Sequence, residues 1–274
     1  MSTKVYFGGG PCGGHGGFRP REVAQYPDTG RRLGTDPYGR AIRDHHHGEQ
    51  ADPLYDVDGG RRRDHPIAEF YFGAFRAESD AGAWLAEQLA GPLLDLGAGA
   101  GRHALYFQRE FETVAVDRSA HLVDLMGDRG VEDTREVSMF SLREAFGRDR
   151  FRSVLSVGTQ LCLAGSMQGL RRLLCDLAYV TTADGRAVVD SYDPSVATTA
   201  DTFGFRPDPT PGLAYRVYHY EYGEDTGPEL LFRLFSPDRL REAAAGTGWR
   251  VSVRRHGPSG GSQYRAVLRK RGAG

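Results

Sequence analysis

Five short apolar runs recur through the middle of this chain, at residues 93–96, 113–117, 134–138, 151–158 and 185–192. Between them, at 101–109, 119–127 and 168–181, apolar residues return every three or four positions. Short apolar runs bounded by glycine and polar residues are strand signals, and the longer period marks an amphipathic helix. Strand and helix therefore alternate, which predicts a doubly wound, Rossmann-like α/β sheet with mostly parallel strands. Two more strands, 249–255 and 263–269, follow each other directly and read as an antiparallel hairpin. Ahead of them, 213–222 alternates and carries Tyr215, Tyr218, Tyr220 and Tyr222; a turn and then 229–235 complete a long β-hairpin insertion. Ser236-Pro237 opens the last helix, with proline at its favoured first position. Upstream, helical spacing at 67–75 and 81–89 places the start of ordered structure near Pro66. Residues 1–50 show neither period and are rich in glycine, proline, arginine and histidine. Such a segment is expected to be a flexible tail, with 51–274 forming the folded domain.

The chemistry concentrates at the end of the first run. Leu93-Leu94-Asp95-Leu96 leads into Gly97-Ala98-Gly99-Ala100-Gly101, and the next run ends in an acid, Asp117. Glycine is required where φ is positive or where a ligand must approach the backbone closely. Ligands of open α/β sheets bind outside the C-terminal strand ends, so Asp117 can accept from the two hydroxyls of a ribose. A dinucleotide fingerprint, G-x-G-x-x-G, needs glycine at position 102 or 104, and the chain has Arg102 and Ala104 there.

The pattern D-x-G-x-G-x-G from Asp95 to Gly101, with Asp117 after the second strand, resembles the first motifs of the class I S-adenosylmethionine-dependent methyltransferases. The resemblance extends over about residues 66–270. It implies a seven-stranded sheet with an antiparallel last strand, S-adenosyl-L-methionine as cofactor, and methyl transfer as the activity. It places Asp95, Gly97, Ala98, Gly99 and Gly101 at the methionine part of the cofactor, and Asp117 with neighbouring Arg118 at the ribose. The turn after the third strand, where the family often has an acid for the adenine amino group, holds Ser138 followed by Met139 and Phe140. Serine accepts a hydrogen bond but carries no charge. Gly158 ends the fourth strand, and the family's substrate loop then falls on Thr159 and Gln160. Tyr71, in the helix before the first strand, is a further substrate-facing candidate.

Composition narrows the acceptor. The formal net charge is −1 over 274 residues, so no broad basic field favours nucleic acid. A small-molecule acceptor is expected ahead of protein, with nucleic acid last and no membrane partner. The tyrosine-rich insertion suits a lid over a small organic acceptor. Three cysteines, Cys12, Cys162 and Cys175, lack metal-type pairing, and His45-His46-His47 has no partner ligands at zinc spacing; no metal is expected. The cysteine usage and the absence of a signal-peptide pattern lead to a cytoplasmic expectation. Methyl transfer is an in-line displacement that orientation alone can drive, so no catalytic residue need stand out. His103, His121, His219 and Tyr192 are candidate bases by type alone. Two other readings share parts of the pattern: an NAD(P)-dependent oxidoreductase on a related sheet, and a non-catalytic S-adenosylmethionine-binding protein, for which Ser138 leaves room.

Overall fold

The computed structural model describes residues 36–199, 204–255 and 261–270. Its main sheet is built from β3 (Leu93–Leu96), β4 (Thr113–Asp117), β5 (Thr134–Glu136), β6 (Phe151–Ser156), β7 (Thr181–Tyr192), β12 (Trp249–Arg255) and β13 (Gln263–Lys270). The strand order is β12-β13-β7-β6-β3-β4-β5. Pairings between β3, β4, β5, β6 and β7 are all parallel, whereas β13 runs antiparallel to both β7 and β12. This is the mixed seven-stranded sheet expected, with β3 central.

Parallel strands covered on both faces should be apolar throughout, and all four residues of β3 are buried. Leu94 and Leu96 join Val154, Leu173, Leu177 and Tyr264 on one face. Leu93 and Leu155 join Leu85, Phe107 and Val267 on the other. The first face is covered by α7 (Met167–Val180) and by the C-terminal helix Pro237–Ala244 (α8); the second takes α3 (Asp80–Glu87) and α4 (Ala104–Phe107). The serines before these helices act as caps: Ser166 accepts from Gly169 N at 2.9 Å and Ser236 from Arg239 N at 3.3 Å. The helix after the glycine turn is shorter than its 101–109 pattern, because Gly101 still belongs to the turn, with φ +78°.

A second sheet was not expected as such. The insertion forms β9 (Leu213–Tyr222) and β11 (Leu230–Phe235), paired antiparallel as predicted, with β8 (Arg206–Pro207) and β10 (Asp225–Thr226) at its edges. It also receives an N-terminal hairpin, β1 (Tyr55–Asp58) and β2 (Arg61–Asp64). Tyr55, Asp56 and Val57 pair with Glu221, Tyr220 and His219. Arg216 on β9 binds both Asp56 and Asp58 of β1, so the joint is ionic as well as backbone-paired.

The expected tail boundary at residue 50 needs correction. Residues Pro37–His47 form a helix, α1, capped by Asp36, which accepts from Gly39 N at 2.9 Å. Ala41 and Ile42 are fully buried against Leu122 and Leu125 of α5 (Ala120–Asp128) and Tyr222 of β9. Gly39 makes the crossing possible: a Cβ there would sit 2.0 Å from Ser119 Oγ. The apolar stripe on α1 is too narrow to register as a period, since only Tyr38, Ala41 and Ile42 contribute to it. Ordered structure thus begins well before Pro66. Residues 1–35, with Cys12 and His15, lie outside the described residues. Among the described residues no helix is long and apolar enough to cross a membrane, and no cluster of metal-ligating side chains occurs.

Candidate functional site

The glycine turn leaves β3 with positive φ at Gly97 (+71°), Gly99 (+59°) and Gly101 (+78°). Positive φ favours glycine at all three, and close packing adds to it at Gly101. A Cβ on Gly101 would lie 2.8 Å from Val131 Cγ2, and one on Gly97 would lie 2.5 Å from Gln160 Cδ. At Gly99 a Cβ would come no nearer than 3.7 Å to the ring of Tyr71. Tyr71 and Gln160, both expected near a substrate, therefore do flank the turn.

Asp117 closes the other side. Its two carboxylate oxygens accept from Gly99 N and Ser119 N, each at 3.1 Å. Burial pushes its carboxyl above the usual range, while the Ser119 and Gly99 amides hold it back. Arg118 beside it is exposed. Asp95 lies deeper, on β3 itself. Burial raises its carboxyl to about 7, with the Ala104 amide opposing and the charge of Asp117 adding. Its Oδ2 is buried and has no hydrogen-bond partner among the described residues. An ionised group with a raised folded-state pKa destabilises the fold as pH climbs from the unfolded value, about 3.9, towards the folded one. Asp95→Asn is therefore expected to raise the thermal midpoint at pH 8 more than at about pH 2.5, where both states are protonated. Melting curves of the two proteins across that window check it; a constant offset would show that Asp95 does not carry the penalty.

The remaining candidates separate. Gly158 and Thr159, both at positive φ, donate their amides to Asp190 at 3.1 and 2.6 Å, so this loop is tied to the end of β7. Ser138 Oγ accepts from Phe140 N at 3.3 Å, bracing the turn after β5. Met139 is 8% exposed and packs in the main core. Phe140 is 43% exposed and lines a surface groove with Arg143, Gln168 and Arg171. Of the candidate bases, His103 is driven down to about 3 by burial, with Arg102 and Arg265 adding, so it is neutral at working pH. His121 is tied to Arg43 at 3.1 Å and His219 to Glu221 at 3.3 Å. Cys162 is buried, and its thiol is pushed up by that burial, which makes it a poor nucleophile.

Sequence reasoning missed an aromatic group that the N-terminal elements bring to the turn. Tyr38 donates from its hydroxyl to the Tyr71 hydroxyl at 2.9 Å, and His65 Nε2 lies 2.8 Å from the same Tyr71 oxygen. Tyr220 of the insertion packs on Tyr38 at 4.7 Å and on His65 at 5.4 Å between ring centroids. Tyr38 sat in a stretch read as tail, and a single histidine before Pro66 carries no pattern. Only Tyr71 and the tyrosine content of the insertion were available as signals.

No family model and no curated protein matches the chain. Solved structures do. A SAM-dependent methyltransferase from Bacteroides fragilis, in complex with S-adenosyl-L-homocysteine, superposes with TM-score 0.70 at 24% identity, over 86% of this chain and 95% of that one. The CcbJ methyltransferase from Streptomyces caelestis gives 0.53 at 17% identity, over 74% and 96%. An S-adenosylmethionine-dependent methyltransferase from Clostridium acetobutylicum gives 0.52 at 12% identity, over 66% and 84%. These likenesses are of fold: the chain has the fold of the class I S-adenosylmethionine-dependent methyltransferases.

Proposed function

We propose that this protein transfers a methyl group from S-adenosyl-L-methionine to a small organic acceptor. The observation that carries the reading is the glycine turn of β3 facing Asp117 on the adjacent parallel strand, with the buried Asp95 oxygen lacking a protein donor behind it. The three positive-φ glycines put no Cβ where a ligand would lie, and a carboxylate stands at the strand end. These residues fit the cofactor. Gly97, Ala98, Gly99 and Gly101 would hold its methionine part, and Asp117 its ribose hydroxyls. Ser138 and Met139 would approach the adenine, and Gly158 would border the sulfonium end. Phe140, turned to the α7 groove, is the weakest member of the set.

When bound, the cofactor supplies an electrophilic methyl group on a sulfonium. The chain's own part is to align an acceptor with that methyl and exclude water. Tyr71, Gln160 and Thr159 are the residues proposed to face the acceptor. The aromatic cover from α1, β9 and the segment after β2 favours a small, flat molecule over a polymer, which would need an open groove. The mixed sheet and the failed G-x-G-x-x-G spacing leave the nicotinamide-dependent reading without support. Methyl-labelled S-adenosylmethionine incubated with cell extract, fractionated into small molecules, protein and RNA, is the test. Label is expected in the small-molecule fraction; label in RNA alone would overturn the acceptor class, and no transfer to any fraction would favour a non-catalytic binder.

A further inference from the structure

Four polar groups from four separate elements line up outward from the glycine turn. Tyr38 comes from the first turn of α1, Tyr71 from the end of α2 (Ile67–Tyr71), His65 from the segment after β2, and Asp56 from β1. The contacts run Tyr38 Oη to Tyr71 Oη at 2.9 Å, Tyr71 Oη to His65 Nε2 at 2.8 Å, and His65 Nδ1 to Asp56 Oδ2 at 4.0 Å. Asp56 is further held by Arg216 of β9. His65 is enclosed by the rings of Tyr38, Phe70, Tyr71 and Tyr220.

The hydrogen-bond roles follow from the ends. Asp56 stays ionised: burial pushes its carboxyl up, but His65, 4.0 Å away, and the hydrogen bond from Arg216 outweigh that and lower it. A carboxylate opposite Nδ1 selects the tautomer with its proton there. Nε2 is then an acceptor, so Tyr71 donates to His65, and the Tyr71 oxygen accepts from Tyr38. The Tyr38 oxygen keeps lone pairs for one more donor. The Tyr71 ring stands 3.7 Å from where a Gly99 Cβ would be, and the charge of Asp117 reaches both tyrosines. The Tyr38–Tyr71 end of the chain of hydrogen bonds is thus beside the proposed cofactor site, with Tyr71 the member that reaches the turn, and the outer end is a partly buried histidine–carboxylate pair.

We propose that Tyr38, Tyr71, His65 and Asp56 form a proton relay that takes the hydroxyl proton of a phenolic acceptor. The inference rests on the methyltransferase reading above and names its acceptor class. A base is useful only for an acceptor that keeps its proton at working pH, which a phenol does and a neutral amine does not need. Flat aromatic walls suit a ring. The balance is complete. The acceptor O–H bond and the S–CH3 bond break, and an O–CH3 bond forms. The acceptor proton moves to Tyr38 Oη, the Tyr38 proton to Tyr71, and the Tyr71 proton to His65 Nε2. The sulfonium charge ends as an imidazolium paired with Asp56. Tyr38 is the catalytic residue; Tyr71, His65 and Asp56 position and drain it.

A latch that only held α1 and β1 over the site would use the same contacts, and two acceptors separate the cases. 4-Nitrophenol is largely ionised at about pH 8, whereas 4-methoxyphenol, near the tyrosine value of about 10, keeps its proton. Methyl transfer from labelled S-adenosylmethionine to each is measured for wild type, His65→Gln and Tyr71→Phe, with melting curves to confirm folding. The relay predicts a loss of roughly 100-fold or more in kcat with 4-methoxyphenol, the usual range for general base removal, and only a few-fold loss with 4-nitrophenol. Tyr71→Phe, which removes one oxygen and keeps the ring, must reproduce that split if His65→Gln does not fold. Equal losses on both acceptors overturn the relay in favour of a latch. Failure of wild type to methylate either phenol, with S-adenosylhomocysteine still bound in calorimetry, overturns the phenolic relay alone. Failure to bind S-adenosylhomocysteine removes the methyltransferase reading and the relay with it.

Discussion

Asp117→Ala is expected to weaken S-adenosylhomocysteine binding by at least about tenfold while leaving the protein folded. Two hydrogen bonds from ribose hydroxyls to a carboxylate are each worth about 1.5–3 kcal/mol, and about 1.4 kcal/mol is tenfold. The fold should survive, because the Asp117 side chain stands at a strand end and bonds to backbone amides, those of Gly99 and Ser119 among them, rather than to other side chains of the core. The pH dependence adds a sharper test. Burial holds the Asp117 carboxyl above the ordinary range, and only the ionised form accepts from both hydroxyls. Affinity should therefore fall on acidification at a higher pH than a free aspartate would dictate, about 3.9. Asp117→Asn cannot ionise and should lack that acid limb. Calorimetry over a pH series measures both, and an unchanged affinity in the alanine variant would remove Asp117 from the ribose.

A chain starting at Asp52 is expected to melt several degrees lower and to bind S-adenosylhomocysteine more weakly. A flexible tail, which the composition of residues 1–50 predicts, would be dispensable. The structure reverses the expectation for α1. Removing it uncovers Leu122, Leu125 and Tyr222 and deletes the fully buried Ala41 and Ile42. One buried aliphatic side chain of that size is worth about 1.5–3 kcal/mol, and a loss of 1 kcal/mol shifts the midpoint by about 2–4 °C in a domain of this length. Binding suffers separately, because Tyr38 leaves the Tyr71 hydroxyl and the Asp36 end of α1 leaves Ser119, next to Asp117. Differential scanning fluorimetry with and without S-adenosylhomocysteine reads both effects. An unchanged midpoint and ligand shift would mean that α1 contributes neither.

The parts legible in the sequence were those that local pattern determines. A parallel strand buried on both faces is mostly apolar, so the apolar runs of β3, β4, β6 and β7 stand out despite Asp95 and Asp190 within them. The tight turn at Gly97–Gly101 requires positive φ, so glycine spacing revealed it. The hairpins β9–β11 and β12–β13 carry their own alternation and turns. Asp117 stands out as a candidate because it ends an apolar strand, and the structure places it at the end of β4 against Gly99 N. Shorter elements were harder: α4 has only four residues, so the preceding turn and the helix shared one pattern.

Tertiary structure decided what no local period encodes. The pairing of Tyr55–Val57 with His219–Glu221 joins segments more than 160 residues apart, and neither strand announces its partner. Helix α1 shows a polar composition because its thin apolar stripe is completed by α5 and β9 rather than by itself. His65, Tyr38 and Asp56 are unremarkable singly; three chain segments bring them together around Tyr71, whose ring lies beside Gly99. Ser138, Met139 and Phe140 occupy adjacent positions, yet one braces a turn, one fills the core and one lines an outer groove. Adjacent residues at the end of a strand diverge as the backbone turns, and only the fold determines which face each one reaches.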